Sequence, residues 1–169
     1  MKRIASLIFC LLILNLQIKA DGILPRGTSV PIRIISALNS GNKQNAQAIV
    51  EYDIKDKNNK ILIRKGTPVD IQVKMKKAKG LGREGYIHLQ CLTTQAIDNQ
   101  TIMLQGEWEE YGESRDGLAL GLGIGFGLSV LPIVGFAFLA IKGKQAIIEP
   151  NTRLPLVFTT EDYIIRNTK

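Results

Sequence analysis

The chain has 169 residues, with 22 Lys or Arg against 15 Asp or Glu and a formal net charge of +7. That length suits one domain, and 45% hydrophobic against 22% charged residues excludes a chain that stays disordered. With 1 histidine and 2 cysteines, a zinc cluster, an iron–sulfur centre and a disulfide framework are excluded for want of ligands or partners.

Lys2 and Arg3 precede an apolar run from Ile4 to Leu14, and a more polar stretch follows to Ala20. This is the layout of a secretory signal peptide, with cleavage expected after Ala20 and export to the periplasm. A retained anchor is the alternative, but the run falls short of the roughly 20 residues of a transmembrane helix. Cys10 lies inside the run, where it cannot become a lipidated first residue. Removing 20 of the 169 residues, with Lys2, Arg3 and Lys19 among them, leaves 149 residues and a net charge of +4. It also leaves Cys91 as the one cysteine, on the same alternating face as Ile87 and Leu89, which predicts a buried thiol and no internal disulfide.

Beyond the leader, period-two alternation dominates: Val30–Ile34, Ala48–Ile54, Val69–Met75 and Tyr86–Leu92 each predict a strand with one wet and one buried face. Turn residues separate them at Asn39–Asn42, Asp56–Lys60, Gly80–Gly85 and Ile97–Gln100. Short strands at such spacing predict a mainly β fold, a small antiparallel barrel or sandwich. One local pattern occurs three times, at Gly27-Thr28, Gly66-Thr67 and Asn151-Thr152. In each, a residue tolerant of positive φ turns the chain and a strand is expected two residues later. Pro31 and Pro155 follow at the same step in two of the copies, which suggests edges, strand starts or bulges.

From Leu118 to Ile141 there is no charged residue at all. Two architectures compete for this stretch. A single span would put the strands before and after it on opposite sides of a membrane. A helical hairpin, bending between Ser129 and Pro132, would return the chain to the same sheet, and is preferred because the Asn151 copy of the turn pattern reads as a strand of that sheet. Gly117, Gly121 and Gly125 are spaced by four, as are Gly123 and Gly127, so on helices they form small-residue faces that admit another helix. A glycine-rich loop against the barrel is the alternative; the intervening Leu, Ile and Phe favour helix packing in lipid or in an oligomer. The domain plan is a signal peptide at 1–20, a β-domain at 21–116, the apolar hairpin at 117–141 and final strands at 142–169. Nucleotide binding is dismissed, because the alternating glycines lack the spacing of a dinucleotide or P-loop motif.

No catalytic constellation is readable. His88 shares a face with Tyr86 and Gln90, so it is expected at the surface with no relay, on the opposite face from Cys91. Glu107, Glu109, Glu110 and Glu113 surround Trp108 and Tyr111; paired carboxylates can do acid–base work, but a solvated acidic turn is the simpler reading. The chain is expected not to be an enzyme, and no cofactor or metal is called for. Lys74, Lys76, Lys77, Lys79 and Arg83 form the densest basic patch. Anionic lipid or glycan head groups are its natural counter-charge, a solvated hairpin tip is equally open, and nucleic acid is disfavoured because no aromatic residues are interleaved for stacking.

The order of Gly27–Ile32 with Leu38-Asn39-Ser40, then Ile61–Thr67, then an apolar insertion before Ile148–Thr152 resembles the C-terminal domain of TrbI-like scaffold proteins of conjugation and type IV secretion, in a distant and minimal version. The resemblance runs loosely from Arg26 to Tyr163. It implies a β-barrel whose inserted helical hairpin projects into the outer membrane and helps build a ring. The chain departs from that family in having a signal peptide in place of an inner-membrane anchor and linker, and Asn151 in place of a glycine. The expected function is that of an exported cell-envelope structural or assembly protein. Its partners would be a membrane surface, with the outer membrane favoured, and further copies or other envelope proteins. The alternative is a soluble periplasmic binding module whose apolar loop covers a partner or ligand groove.

Overall fold

The computed structural model describes residues 21–42, 44–118, 140–154 and 156–166. The segment 1–20 expected to be a signal peptide, most of the apolar stretch, including Gly121, Gly123, Gly125, Gly127 and Pro132, and Pro155 lie outside the described residues.

The described chain is mainly β, as the alternation predicts. Its strands are β1 (Gly22–Leu24), β2 (Ile32–Ile34), β3 (Leu38–Asn39), β4 (Ala48–Val50), β5 (Ile54–Lys55), β6 (Ile61–Ile63), β7 (Pro68–Lys76), β8 (Tyr86–Gln95), β9 (Thr101–Tyr111), β10 (Ile147–Ile148), β11 (Arg153–Leu154), β12 (Phe158–Thr159) and β13 (Tyr163–Ile165). Seven of them form one sheet in the order β11-β2-β4-β7-β8-β9-β12, which curls into a half-barrel. Its two ends belong to one stretch of chain. After β11 pairs with β2, β12 pairs with β9 and also bridges back through Phe158 to Ser29, just ahead of β2. Val30 N–H donates to the Val157 carbonyl and Thr159 N–H to the Thr28 carbonyl along the same seam. Three two-stranded pairs, β1-β13, β3-β10 and β5-β6, flank the main sheet.

The inward positions of these strands make one core. Ile32, Ile34, Val50, Ile87, Leu89 and Ile102 are all fully buried within it, and apolar burial of this kind is the main favourable term in folding.

The three turn copies share one geometry. Gly27, Gly66 and Asn151 have φ of 77°, 83° and 69°. The hydroxyls of Thr28, Thr67 and Thr152 donate to the carbonyls of Pro25, Arg64 and Glu149, in each case three residues back. The chain joins the sheet two residues after each turn, at Ser29, Pro68 and Arg153.

Two sequence expectations need correction. Ala48–Ile54 is not one strand: β4 ends at Val50, where Glu51 N–H turns to the Pro31 carbonyl, and the chain resumes as β5 in a different pair. Of the glutamates around Trp108, Glu107, Glu109 and Glu110 lie not in a turn but in the second half of the 11-residue β9, and Glu113 follows the strand. Its outward Met103, Gln105, Glu107 and Glu109 alternate with inward Ile102, Leu104 and Trp108, so Glu107 and Glu109 share the wet face of the strand while Glu110 falls on the other, half-buried.

Candidate functional site: the stem of the apolar segment

Three passes of chain meet where the uncharged stretch leaves the sheet: the β7–β8 connection, the residues after β9, and the residues before β10. Arg115 N–H donates to the Gly82 carbonyl at 2.8 Å, and Gly82 N–H donates to the Ile141 carbonyl at 2.8 Å. Both ends of the apolar stretch are thus bonded to one residue. Gly85 N–H donates to the Lys144 carbonyl, Lys144 N–H to the Glu113 carbonyl and Gly112 N–H to the Gly85 carbonyl, which knits the three passes together.

Glycine is required here by space. Gly82 has φ of 71°, and a Cβ on it would overlap the backbone of Arg115 and Asp116. A Cβ on Gly112 would overlap the Lys144 carbonyl. The stem is moored to the body by Ser40, which is buried: its hydroxyl donates to Gln145 Oε1 at 2.8 Å and accepts from Ala146 N–H at 2.9 Å. The other lone pair of Gln145 Oε1 takes Ala78 N–H at 3.1 Å.

The stem is also where the charge is. Residues 76–85, 112–118 and 140–145 carry seven Lys or Arg against three Asp or Glu. The rest of the chain from Asp21 onward carries twelve of each. The net charge of +4 on residues 21–169 therefore resides entirely at this end, where Lys77, Lys79, Arg83, Arg115, Lys142 and Lys144 are all exposed. Lys144 pairs with the Glu113 carboxylate, which holds Glu113 below the usual carboxylate range. The Ser114 hydroxyl and then the Gly117 N–H, both donating to the Asp116 carboxylate, lower Asp116 in the same way.

Of the residues singled out from the sequence, Lys76, Lys77, Lys79 and Arg83 fall in this stem, and Lys74 lies one step down the outer face of β7. Gly117 is exposed within helical residues 116–118, with open space around its α-carbon. Among the described residues no helix is long and apolar enough to cross a membrane, and no group of three or more His, Cys, Asp or Glu could hold a metal.

A second cluster lies beside the stem on the outer face of β7, β8 and β9. Register places Lys74, His88 and Glu109 in one row and Lys76, Tyr86 and Tyr111 in the next. His88 Nδ1 lies 3.1 Å from Glu109 Oε1, and the Tyr111 hydroxyl donates to Glu109 Oε2 at 2.8 Å. Lys76 Nζ sits 5.3 Å from the Tyr86 ring centre. The hydrogen bond from Tyr111, and then that with His88, holds the Glu109 carboxyl below the ordinary range, while Glu109 raises the Tyr111 phenol. His88 thus has a carboxylate partner where the sequence reading found none. Alternation alone does not give this pair: uninterrupted pairing from the turn at Asp98-Asn99 would set His88 opposite Trp108, and the register shift between Cys91 and Thr93 brings Glu109 there instead. The cluster nevertheless lies on an open sheet face, with Tyr111 56% exposed, so it encloses no substrate. Cys91, on the opposite face, is buried, and burial pushes its thiol up to about 11.

No family model matches this chain, and no curated protein matches it.

Proposed function

We propose that this is a non-enzymatic envelope protein, exported by its leader, whose β-body presents the apolar segment 117–141 to a membrane from a basic collar. The observation that carries the reading is the stem. Arg115 and Ile141, at either end of the uncharged stretch, both bond Gly82, whereas a single crossing would set them about 30 Å apart. Ends held together suit a hairpin that enters and leaves on one side of the bilayer. Its glycine faces at Gly117, Gly121 and Gly125, and at Gly123 and Gly127, suit close helix packing there. Around the exit, exposed lysines and arginines sit at the level of anionic head groups, each contributing on the order of 1 kcal/mol near such a surface. The TrbI-like order of motifs points the same way and favours the outer membrane.

The test is fractionation and vesicle flotation of the exported full chain beside a variant with residues 118–141 replaced by a short Gly/Ser linker. The full chain is expected to float with phosphatidylcholine vesicles and to stay bound through a high-salt wash. Adding about a third phosphatidylglycerol should tighten its binding severalfold. The linker variant is expected to remain folded and in the supernatant. A full chain that stays in the supernatant with both lipids would sink the membrane reading and favour the soluble binding module.

A further inference from the structure

Seven described residues have φ in the left-handed region, and six of them are of a type that adopts it readily. Gly27, Gly66 and Gly82 have no Cβ to clash, and Asn59, Asn99 and Asn151 belong to a residue type enriched there. The seventh is Leu81, with φ of 61°. An apolar side chain held in that region disfavours the fold by roughly tenfold in the folding equilibrium. Leu81 does not recover that cost in the hydrophobic core, which its side chain does not join. It stands at the tip of the β7–β8 connection, which the Lys79 N–H closes by donating to the Arg83 carbonyl at 3.0 Å, and it is 36% exposed. Strain kept at one exposed side chain points to a use for that side chain outside the fold.

Its surroundings say what that use is. Lys77, Lys79 and Arg83 are exposed on either side of it. The next residue, Gly82, takes the Arg115 N–H and gives its own N–H to the Ile141 carbonyl, so the tip lies where the uncharged stretch leaves the body and returns. Leu118, which opens that stretch, is 55% exposed. A leucine ringed by long cationic side chains matches the headgroup layer of an anionic bilayer. The cations stay level with the phosphates while their methylene stems and the leucine reach the hydrocarbon boundary. A tip that faced only water would be served without strain by asparagine or glycine.

We propose that Leu81 is a second membrane contact of this chain, seating the β7–β8 tip in the headgroup layer of an anionic bilayer beside the apolar segment. The proposal rests on the membrane reading and deepens it. One leucine among basic residues is too little to hold the body by itself, but together with the apolar segment it fixes which side of the β-body meets the bilayer. The exported full chain carrying Leu81→Cys, labelled with the environment-sensitive fluorophore NBD, supplies the test; Cys91 is buried and stays unlabelled. On phosphatidylcholine vesicles with about a third phosphatidylglycerol, the emission is expected to shift to the blue and to be quenched by lipid carrying a nitroxide near its headgroup. The same label at Gln100→Cys, in the turn at the opposite end of β8, is expected to do neither. The unlabelled Leu81→Asn variant is the second arm. Asparagine suits the left-handed φ, so its melting midpoint is expected to rise while its binding to the same vesicles weakens about fivefold to tenfold. A packing role would make both fall. A chain that floats while the label at Leu81→Cys keeps its aqueous emission overturns the proposal and leaves the membrane reading standing. So does a Leu81→Asn variant that binds as tightly as the native chain or melts below it. A native chain that does not float overturns both.

Discussion

The barrel body and the stem are held by different means. In the body, β2 and β4 bury Ile32, Ile34 and Val50 completely, and position is set by apolar packing. In the stem the three chain passes carry Lys, Arg, Glu and Asp on the outside, and position is set by backbone approaching backbone at glycine. A packed core loses stability in proportion to the atoms removed from it. A backbone junction fails when an atom is added.

The largest expected effect lies in the body. Ile32→Ala leaves a cavity beside Val50 and Leu154, its partners in register, and is expected to cost about 2–5 kcal/mol in denaturant unfolding of the whole domain. In the stem, Gly82→Ala adds a methyl against the Arg115 and Asp116 backbone at a positive φ, with an expected cost of about 1–3 kcal/mol. Its effect should be local, with faster amide exchange at Arg115 and Gly85 and little change at Ile102. Gly66→Ala is the control, because φ is positive there too while no atom lies near the added methyl. If the two alanines cost the same, close approach contributes nothing and the stem is ordinary turn geometry.

The smallest effect is electrostatic and belongs to the outer face between the two regions. Glu109, lowered first by the Tyr111 hydrogen bond, contributes stability above its unfolded pKa and loses it as pH falls through the folded value. Tyr111, raised by Glu109, contributes below its ordinary value of about 10 and loses it as pH rises through the folded one. Tyr111→Phe should move the Glu109 midpoint up toward that of an ordinary glutamate in an NMR titration. An unmoved midpoint would mean that the phenol does not hold the carboxylate.

Much of this was readable from the sequence because it is local. Alternation located β7 and β8, and the Gly/Asn-Thr pattern located three turns whose hydrogen bonds are the same to the atom. The eleven residues of β9 were missed because four glutamates drew attention to charge and away from the Ile102, Leu104, Trp108 alternation. The stem was invisible for a different reason: Gly82, Gly112 and Ile141 are far apart in sequence, and only folding brings them together. Long-range backbone contact has no local periodicity to read.

Because Gly82 grips both ends of the uncharged stretch, the body is insulated from what lies between them. The entropy of closing a chain segment whose ends are already fixed rises only by about 0.6 kcal/mol for each doubling of its length. The excursion between Arg115 and Ile141 can therefore lengthen, shorten or change composition while the fold that carries it keeps its stability. The protein is built as a socket, in which the uncharged segment is free to change without disturbing the packing that resists unfolding, with a single glycine marking the border.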